Sequence, residues 1–155
     1  MEDLGHGSAS PQRRGGHPQL SSRTLMLVLD ASVVVAAAFA DNGFRLFGRE
    51  ELVAPPLLWS EARSALHELQ WRGEITPPDA STARDRLEHC PVIRRDHDRL
   101  GEEAWRVADE LGWAKTYDAE YVALALLLGC RLVTLNGRLR RRADCLGIVV
   151  SPLEL

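Results

Sequence analysis

An uninterrupted apolar run that ends at an acid constrains this chain more than any other feature of its sequence. Residues 25–30 read LMLVLD, so five apolar residues lead directly to Asp30. A run of this kind is typical of a strand that is buried on both faces of a parallel sheet. The acid would then lie at the carboxyl end of a central strand, which is the edge where open α/β sheets bind ligands.

The rest of the chain alternates predicted helices with predicted strands. Apolar residues recur at helical spacing, prolines stand near helix starts and glycines follow helix ends. We expect helices over residues 31–40, 56–72, 76–89, 97–111, 119–128 and 138–146, and short strands over residues 52–54, 91–93, 131–135 and 148–150. This alternation predicts an α/β fold, a three-layer α/β/α sandwich with a mainly parallel central sheet.

The first 24 residues differ in composition from the rest of the chain. They are rich in Gly, Ser, Pro, Arg and His and lack apolar periodicity, so we predict a disordered leader over residues 1–24 and one domain over residues 25–155. The leader and the apolar run together have the outline of a secretory signal peptide, but an Asp inside such a run costs about 2.5–3.5 kcal/mol on insertion scales. A natural start at Met26 is another explanation of the leader. We therefore expect a cytoplasmic protein with no membrane segment.

Net charge and cysteine content limit the binding partners and the redox state that we expect for this chain. The net charge of −3 gives the chain no global attraction for nucleic acid, so any such contact must be local. Cys90, Cys130 and Cys145 form no CxxC motif, and the last two occur in apolar stretches. We expect reduced thiols in the core.

Four polar residues occur at predicted strand ends or near helix starts. Asp30 and Asn136 end strands, Asp118 opens a helix, and Glu61 lies one turn into another helix. Each has an ordinary explanation by itself, because Asp caps helices and Asn-Gly pairs form turns. Carboxylates that converged at one edge would repel one another unless a cation lay between them. Mg²⁺ and Mn²⁺ prefer oxygen ligands and, at such a site, support cleavage of phosphodiesters.

The segments that contain these residues resemble the PIN-domain ribonucleases, and within them the VapC-like toxins of toxin–antitoxin pairs. The segments occur in the family's order and cover residues 25–150. They are LVLDAS at 27–32, WSEARSAL at 59–66, KTYDAEYVALA at 115–125 and LVTLNGRL at 132–139.

The resemblance implies a function, a cofactor and partners. It implies a Mg²⁺- or Mn²⁺-dependent endoribonuclease that cleaves structured RNA and acts as the toxin of a toxin–antitoxin pair. It also implies a homodimer and a small cognate antitoxin, through which alone the chain would meet DNA. Position by position, the resemblance makes Asp30, Glu61 and Asp118 the catalytic metal ligands. It makes Ser32 and Thr134 supporting hydroxyls.

Asn136 departs from the family pattern, which usually has Asp at this position. Asn keeps a neutral carbonyl oxygen, so we expect Asn136 to remain in the metal shell with weaker affinity. This departure leaves open an attenuated relative that binds RNA or antitoxin with little turnover. A third class, the aspartyl-phosphate enzymes and receiver domains, is disfavoured because Ser32 stands where their second acid is expected.

The chain has one dense basic cluster near the last of these segments. A functional interpretation makes its members contacts for RNA phosphates, whereas the ordinary alternative is a solvated helix face. The candidates for phosphate contacts are Lys115, Arg138, Arg140 and Arg141.

Overall fold

A single parallel sheet of five strands forms the centre of the protein. The structure is a computed structural model and describes residues 24–155. The leader predicted at residues 1–24 therefore lies, apart from Thr24, outside the described residues. The strand order is β3-β2-β1-β4-β5, so the first strand is central. The strands are β1 (Met26–Leu29), β2 (Glu51–Ala54), β3 (Ile93–Arg94), β4 (Arg131–Val133) and β5 (Val149–Val150).

Helices cover both faces of this sheet. They are α1 (Ala31–Phe39), α2 (Leu57–Trp71), α3 (Pro77–Glu88), α4 (Leu100–Leu111), α5 (Tyr117–Leu128) and α6 (Gly137–Ala143). Helices α1, α2 and α3 pack together, whereas α4 packs on α5, and α5 packs on β1 and β4. The chain moves outward from β1 to β3 and then crosses to β4 and β5, and right-handed crossovers place these two groups of helices on opposite faces. The predicted α/β sandwich with a parallel sheet is confirmed.

The register of the sheet aligns the ends of its two central strands. Leu29 of β1 lies opposite Val133 of β4, and all pairings are parallel. The residue after each strand therefore reaches the same edge, which places Asp30 beside Thr134. Since α2 follows β2 directly and α5 leads into β4, the first turns of both helices also lie near this carboxyl edge.

Burial explains why β1 occupies the centre. Val28 and Leu29 are fully inaccessible to solvent, and Leu27 is nearly so. Side chains on both faces of the strand are thus covered, as the continuous apolar run predicts. The helix that follows is equally apolar, and the side chain of Asp30 caps it by accepting a hydrogen bond from the Val33 N–H at 3.2 Å.

Several predicted boundaries move by two or three residues. Helix α4 begins at Leu100 rather than at residue 97, because residues 97–99 form a turn in which the Leu100 N–H bonds the His97 carbonyl. Strand β4 ends at Val133 rather than at residue 135, since the next residues turn toward α6. The last predicted helix is divided into α6 and a 3₁₀ turn over Asp144–Leu146.

Two further expectations concern the cysteines and the membrane. Cys90 and Cys130 are half-buried free thiols, and burial raises the pKa of both. The prediction of a core position was wrong for Cys145, which is exposed because it lies in the 3₁₀ turn after α6. Across residues 24–155, every helix is too short or too polar to cross a lipid bilayer.

Candidate functional site

Asp30 is a buried acid held by two hydroxyl groups. It is only 5% exposed. Its Oδ1 accepts a hydrogen bond from the Ser32 hydroxyl at 2.5 Å, and its Oδ2 accepts one from the Thr134 hydroxyl. Both carboxylate oxygens are therefore oriented by side chains, one local and one from the neighbouring strand β4.

The two hydroxyls are themselves oriented by the backbone after β4. The Leu135 N–H donates to Ser32 Oγ at 3.0 Å, and the Asn136 N–H donates to Thr134 Oγ1 at 2.9 Å. Each hydroxyl thus accepts from an amide and donates to the carboxylate, which is the arrangement that satisfies all three groups. Asp30 is fixed in direction by a network that spans both central strands.

Burial raises the pKa of the Asp30 carboxyl above its ordinary value. The hydrogen bonds from Ser32, Thr134 and the Val33 N–H lower it in part, and the negative charge of Asp118 raises it again. The surroundings therefore stabilise the ionised form incompletely, which is the condition in which a cation is favoured beside a carboxylate.

Glu61 reaches the same edge from α2 and is held by Tyr121 of α5. The Tyr121 hydroxyl donates a hydrogen bond to Glu61 Oε2 at 2.6 Å. Burial raises the pKa of Glu61 and this hydrogen bond lowers it, while the charges of Asp118, Asp30 and Glu120 raise it further. A Glu on a helix ordinarily lies at the surface. Glu61 is instead half-buried, with other acids nearby.

Asp118 lies in the first turn of α5 rather than at its cap. The helix begins at Tyr117 with Thr116 as the N-cap residue, so Asp118 is the second helical residue. The helix was predicted to begin at residue 119, so its observed start is two residues earlier, and Asp118 remains in its N-terminal turn. Its carboxylate is half-exposed and close enough to Asp30 and Glu61 for its charge to raise the pKa of both.

Asn136 caps α6 with the same oxygen that was expected to face a metal ion. Its side-chain Oδ1 accepts hydrogen bonds from the N–H groups of Arg138 at 3.0 Å and Leu139 at 3.2 Å. Capping of this kind satisfies amides that have no partner within a helix. The amide oxygen thus already accepts two hydrogen bonds from the backbone of α6.

Comparisons with known proteins agree with this architecture. The PIN domain family model matches residues 27–144, which include every acid described above. The chain belongs to the PIN-domain family. It is 37% identical over 115 residues to ribonuclease VapC9 of Mycobacterium tuberculosis and to a VapC ribonuclease of Mycobacterium bovis, covering 74% of this chain and 88% of each relative. The crystal structure of PAE2754 from Pyrobaculum aerophilum has a TM-score of 0.68 and 26% identity, covering 85% of this chain and 93% of that one.

The carboxylate oxygens at this edge of the PIN domain are of the kind that binds a hard divalent cation, although they are not arranged as a complete metal-binding cluster. Three carboxylates reach this edge from different parts of the fold, and their negative charges repel one another. They belong to Asp30, Glu61 and Asp118. Oxygen donors of this kind suit Mg²⁺ or Mn²⁺. Within residues 24–155, however, no three His, Cys, Asp or Glu side chains are gathered tightly enough to form a metal cluster.

The basic residues of the PIN domain divide into paired and unpaired members. Arg140 forms an ion pair with Glu154 at 2.5 Å, and the guanidinium of Arg142 lies over the ring of Trp113, at 4.9 Å from its centroid. The candidates Lys115, Arg138 and Arg141 are exposed. The structure thus assigns part of the basic cluster to local packing.

Sequence reasoning did not identify Tyr121 and Glu120 as members of the site. Tyr121 is 1% exposed, and burial together with the adjacent Glu61 raises its pKa, so its hydroxyl remains a proton donor at neutral pH. Glu120 is half-exposed, and burial raises its pKa. The available signal for Tyr121 was its spacing, three residues after Asp118 on one helix, which places both on the same face.

Proposed function

We propose that this PIN-domain protein is a metal-dependent endoribonuclease and the toxin of a toxin–antitoxin pair. The observation that carries the proposal is that Asp30, Glu61 and Asp118 lie at the same sheet edge, near enough for the charge of Asp118 to raise the pKa of both Asp30 and Glu61. The relatives that cover most of the chain are named VapC ribonucleases, which supports RNA as the substrate.

The three acids and the two hydroxyl residues have different roles in the proposed binding of a Mg²⁺ or Mn²⁺ ion. Asp30 and Asp118 would hold the ion, Glu61 would hold it or orient a water molecule, and the hydroxyls of Ser32 and Thr134 keep Asp30 in place. When bound, the cation supplies activation of water and stabilisation of negative charge on the phosphate. Asn136 supports this shell from the start of α6, with one oxygen shared between that role and the cap.

Exposed cations beside the acids provide the contact with RNA. Lys115 precedes α5, and Arg138 and Arg141 lie on α6, so all three are on elements that begin at or beside the carboxyl edge. Lys and Arg that face solvent are free to contact phosphate oxygens. Arg140 contributes less to RNA binding than these three, because Glu154 neutralises part of its charge.

The partners follow from the same family membership. We propose a homodimer and a small cognate antitoxin in the cytoplasm, with DNA contacted through the antitoxin alone. Two large aromatic side chains, Trp71 at 80% exposure and Trp105 at 67%, supply apolar area for such contacts. Exposed Trp residues are enriched where protein interfaces form.

Cleavage of RNA by the purified protein tests the proposal. We expect cleavage in Mg²⁺ or Mn²⁺, its loss in EDTA, and its abolition in Asp118→Ala. The matched control is Asp109→Ala, which removes an exposed carboxylate from α4 and should leave cleavage unchanged. Cleavage that persists unchanged in Asp118→Ala would reject the assignment.

A second candidate function is an attenuated protein that binds RNA or antitoxin with little turnover. It is favoured by Asn136, which lacks a negative charge and whose oxygen already caps α6. Asn136→Asp keeps the capping oxygen and adds the charge, so we expect higher affinity for Mn²⁺ and faster cleavage if charge limits the site. No gain in either measurement would count against the charge explanation of a weak enzyme.

A further inference from the structure

We propose that Tyr121 is a positioning residue that holds Glu61 in the orientation required to bind a divalent cation. The inference rests on the function proposed above and adds to it a residue that contributes no metal ligand of its own. It concerns one hydrogen bond between two helices, α2 and α5.

The contact joins residues from opposite faces of the sheet. Glu61 lies in the second turn of α2, and Tyr121 lies in the second turn of α5. Their side chains meet at the carboxyl edge, where the Tyr121 hydroxyl donates to Glu61 Oε2 at 2.6 Å. This hydrogen bond therefore links the carboxylate of Glu61 directly to α5.

The same face of α5 also delivers Asp118. Residues three apart on a helix are neighbours on its surface, so Asp118 and Tyr121 face the same side. One helix face therefore supplies a carboxylate directly and holds a second carboxylate through a hydroxyl. The carboxylate of Glu61 is therefore tied to the helix that carries Asp118.

The hydrogen bond from Tyr121 is suited to holding the carboxylate of Glu61 in one orientation. Tyr121 is 1% exposed, so its ring is locked by packing and its hydroxyl has a defined place. The hydroxyl occupies Oε2 of Glu61, which leaves Oε1 as the oxygen to face a cation. A partner that orients a ligating carboxylate in this way commonly changes metal affinity or activity by about 10- to 100-fold when it is removed.

Tyr121→Phe tests the proposal because it removes the hydroxyl and keeps the buried ring. The matched control is Tyr117→Phe, which removes the hydroxyl of an exposed tyrosine on the same helix. For each protein, Mn²⁺ binding is measured by titration calorimetry, thermal unfolding is recorded, and RNA cleavage is followed as Mn²⁺ is raised. We expect Tyr121→Phe to weaken Mn²⁺ binding about 10-fold or more, with cleavage largely recovered at saturating Mn²⁺, and Tyr117→Phe to match the native protein.

A double-mutant cycle separates positioning from simple packing. If Tyr121 acts through Glu61, Tyr121→Phe should not weaken Mn²⁺ binding further in a Glu61→Gln background. The proposal would be overturned if Tyr121→Phe bound Mn²⁺ with native affinity, whether or not its unfolding temperature fell. The hydrogen bond would then have only a structural role, in holding α2 and α5 together. A Phe variant that does not fold under assay conditions would overturn it equally.

The function proposed above fails by a different result. If the native protein and Asp118→Asn bind Mn²⁺ equally weakly, the acids are not a metal site and the role of Tyr121 falls with them. If Asp118→Asn loses Mn²⁺ and Tyr121→Phe does not, only the role of Tyr121 is rejected.

Discussion

The hydroxyl of Thr134 donates a hydrogen bond to the carboxylate of Asp30, although the two residues are 104 positions apart in the sequence. The parallel register of β1 and β4 places them side by side. Thr134 is 1% exposed, and its hydroxyl also accepts from the Asn136 N–H. One side chain thus links the central acid to the start of α6.

Thr134→Val should lower the stability of the folded protein. Valine keeps the shape of threonine but leaves a buried carboxylate oxygen and the Asn136 amide without this partner, a loss of about 1–3 kcal/mol. The free energy of unfolding, measured with urea, should fall by that amount. Thr82→Val on the exposed face of α3 removes a hydroxyl that bonds only the Pro78 carbonyl, and it should change stability far less. Equal effects of the two substitutions would contradict the importance of the Asp30 network.

Glu61→Gln should stabilise the metal-free protein at neutral pH. Because burial raises the pKa of Glu61 above its ordinary 4.5, the folded state holds this proton more tightly than the unfolded state does. Ionisation of Glu61 therefore lowers the stability of the folded state as the pH rises above 4.5 and through the raised pKa. This loss of stability disappears as the pH falls below 4.5. In EDTA, we expect a higher unfolding temperature for Glu61→Gln at pH 7 and convergence with the native protein in acid.

The control for this pH dependence is Glu68→Gln on the same helix. Glu68 is exposed and pairs with Arg72, so its removal takes away no buried charge. A gain at pH 7 in Glu68→Gln equal to that of Glu61→Gln would show that the effect comes from net charge instead of from the site.

Lys115→Ala and Arg138→Ala should weaken RNA binding in a salt-dependent way. Each removes one exposed cation near the acids, and each lost phosphate contact should reduce the slope of log affinity against log salt by about 0.7–1. Fluorescence anisotropy with a labelled RNA in EDTA, over a range of salt, measures this slope without cleavage. Arg72→Ala, at the far end of α2, is the control and should leave the slope unchanged.

Much of the fold was predictable because its signals are local. The apolar run of β1 predicted a strand buried on both faces, and its last residue predicted that Asp30 lies at the carboxyl edge of the sheet. The start of α4 was not predictable from apolar spacing, because His97 closes a turn through its own carbonyl and ring nitrogen.

The contacts within the site were less accessible to sequence reasoning. The bond between Tyr121 and Glu61 joins residues 60 positions apart, and nothing in either helix alone specifies it. Asn136 shows the complementary difficulty, since an amide that is a metal-ligand candidate by position is also an efficient helix cap. Only the three-dimensional arrangement shows which partners the oxygen has.

The central place of β1 has a consequence for synthesis on the ribosome. Strand β1, which Asp30 directly follows, is made before its neighbour β4, which is the fourth of the five strands to be made. At about 5–20 residues per second, the 104 residues that follow Asp30 up to and including Thr134 take about 5–20 s to translate. A nascent chain therefore lacks an assembled acid cluster until nearly the whole domain has been polymerised, and the message being translated is not exposed to a finished nuclease before then.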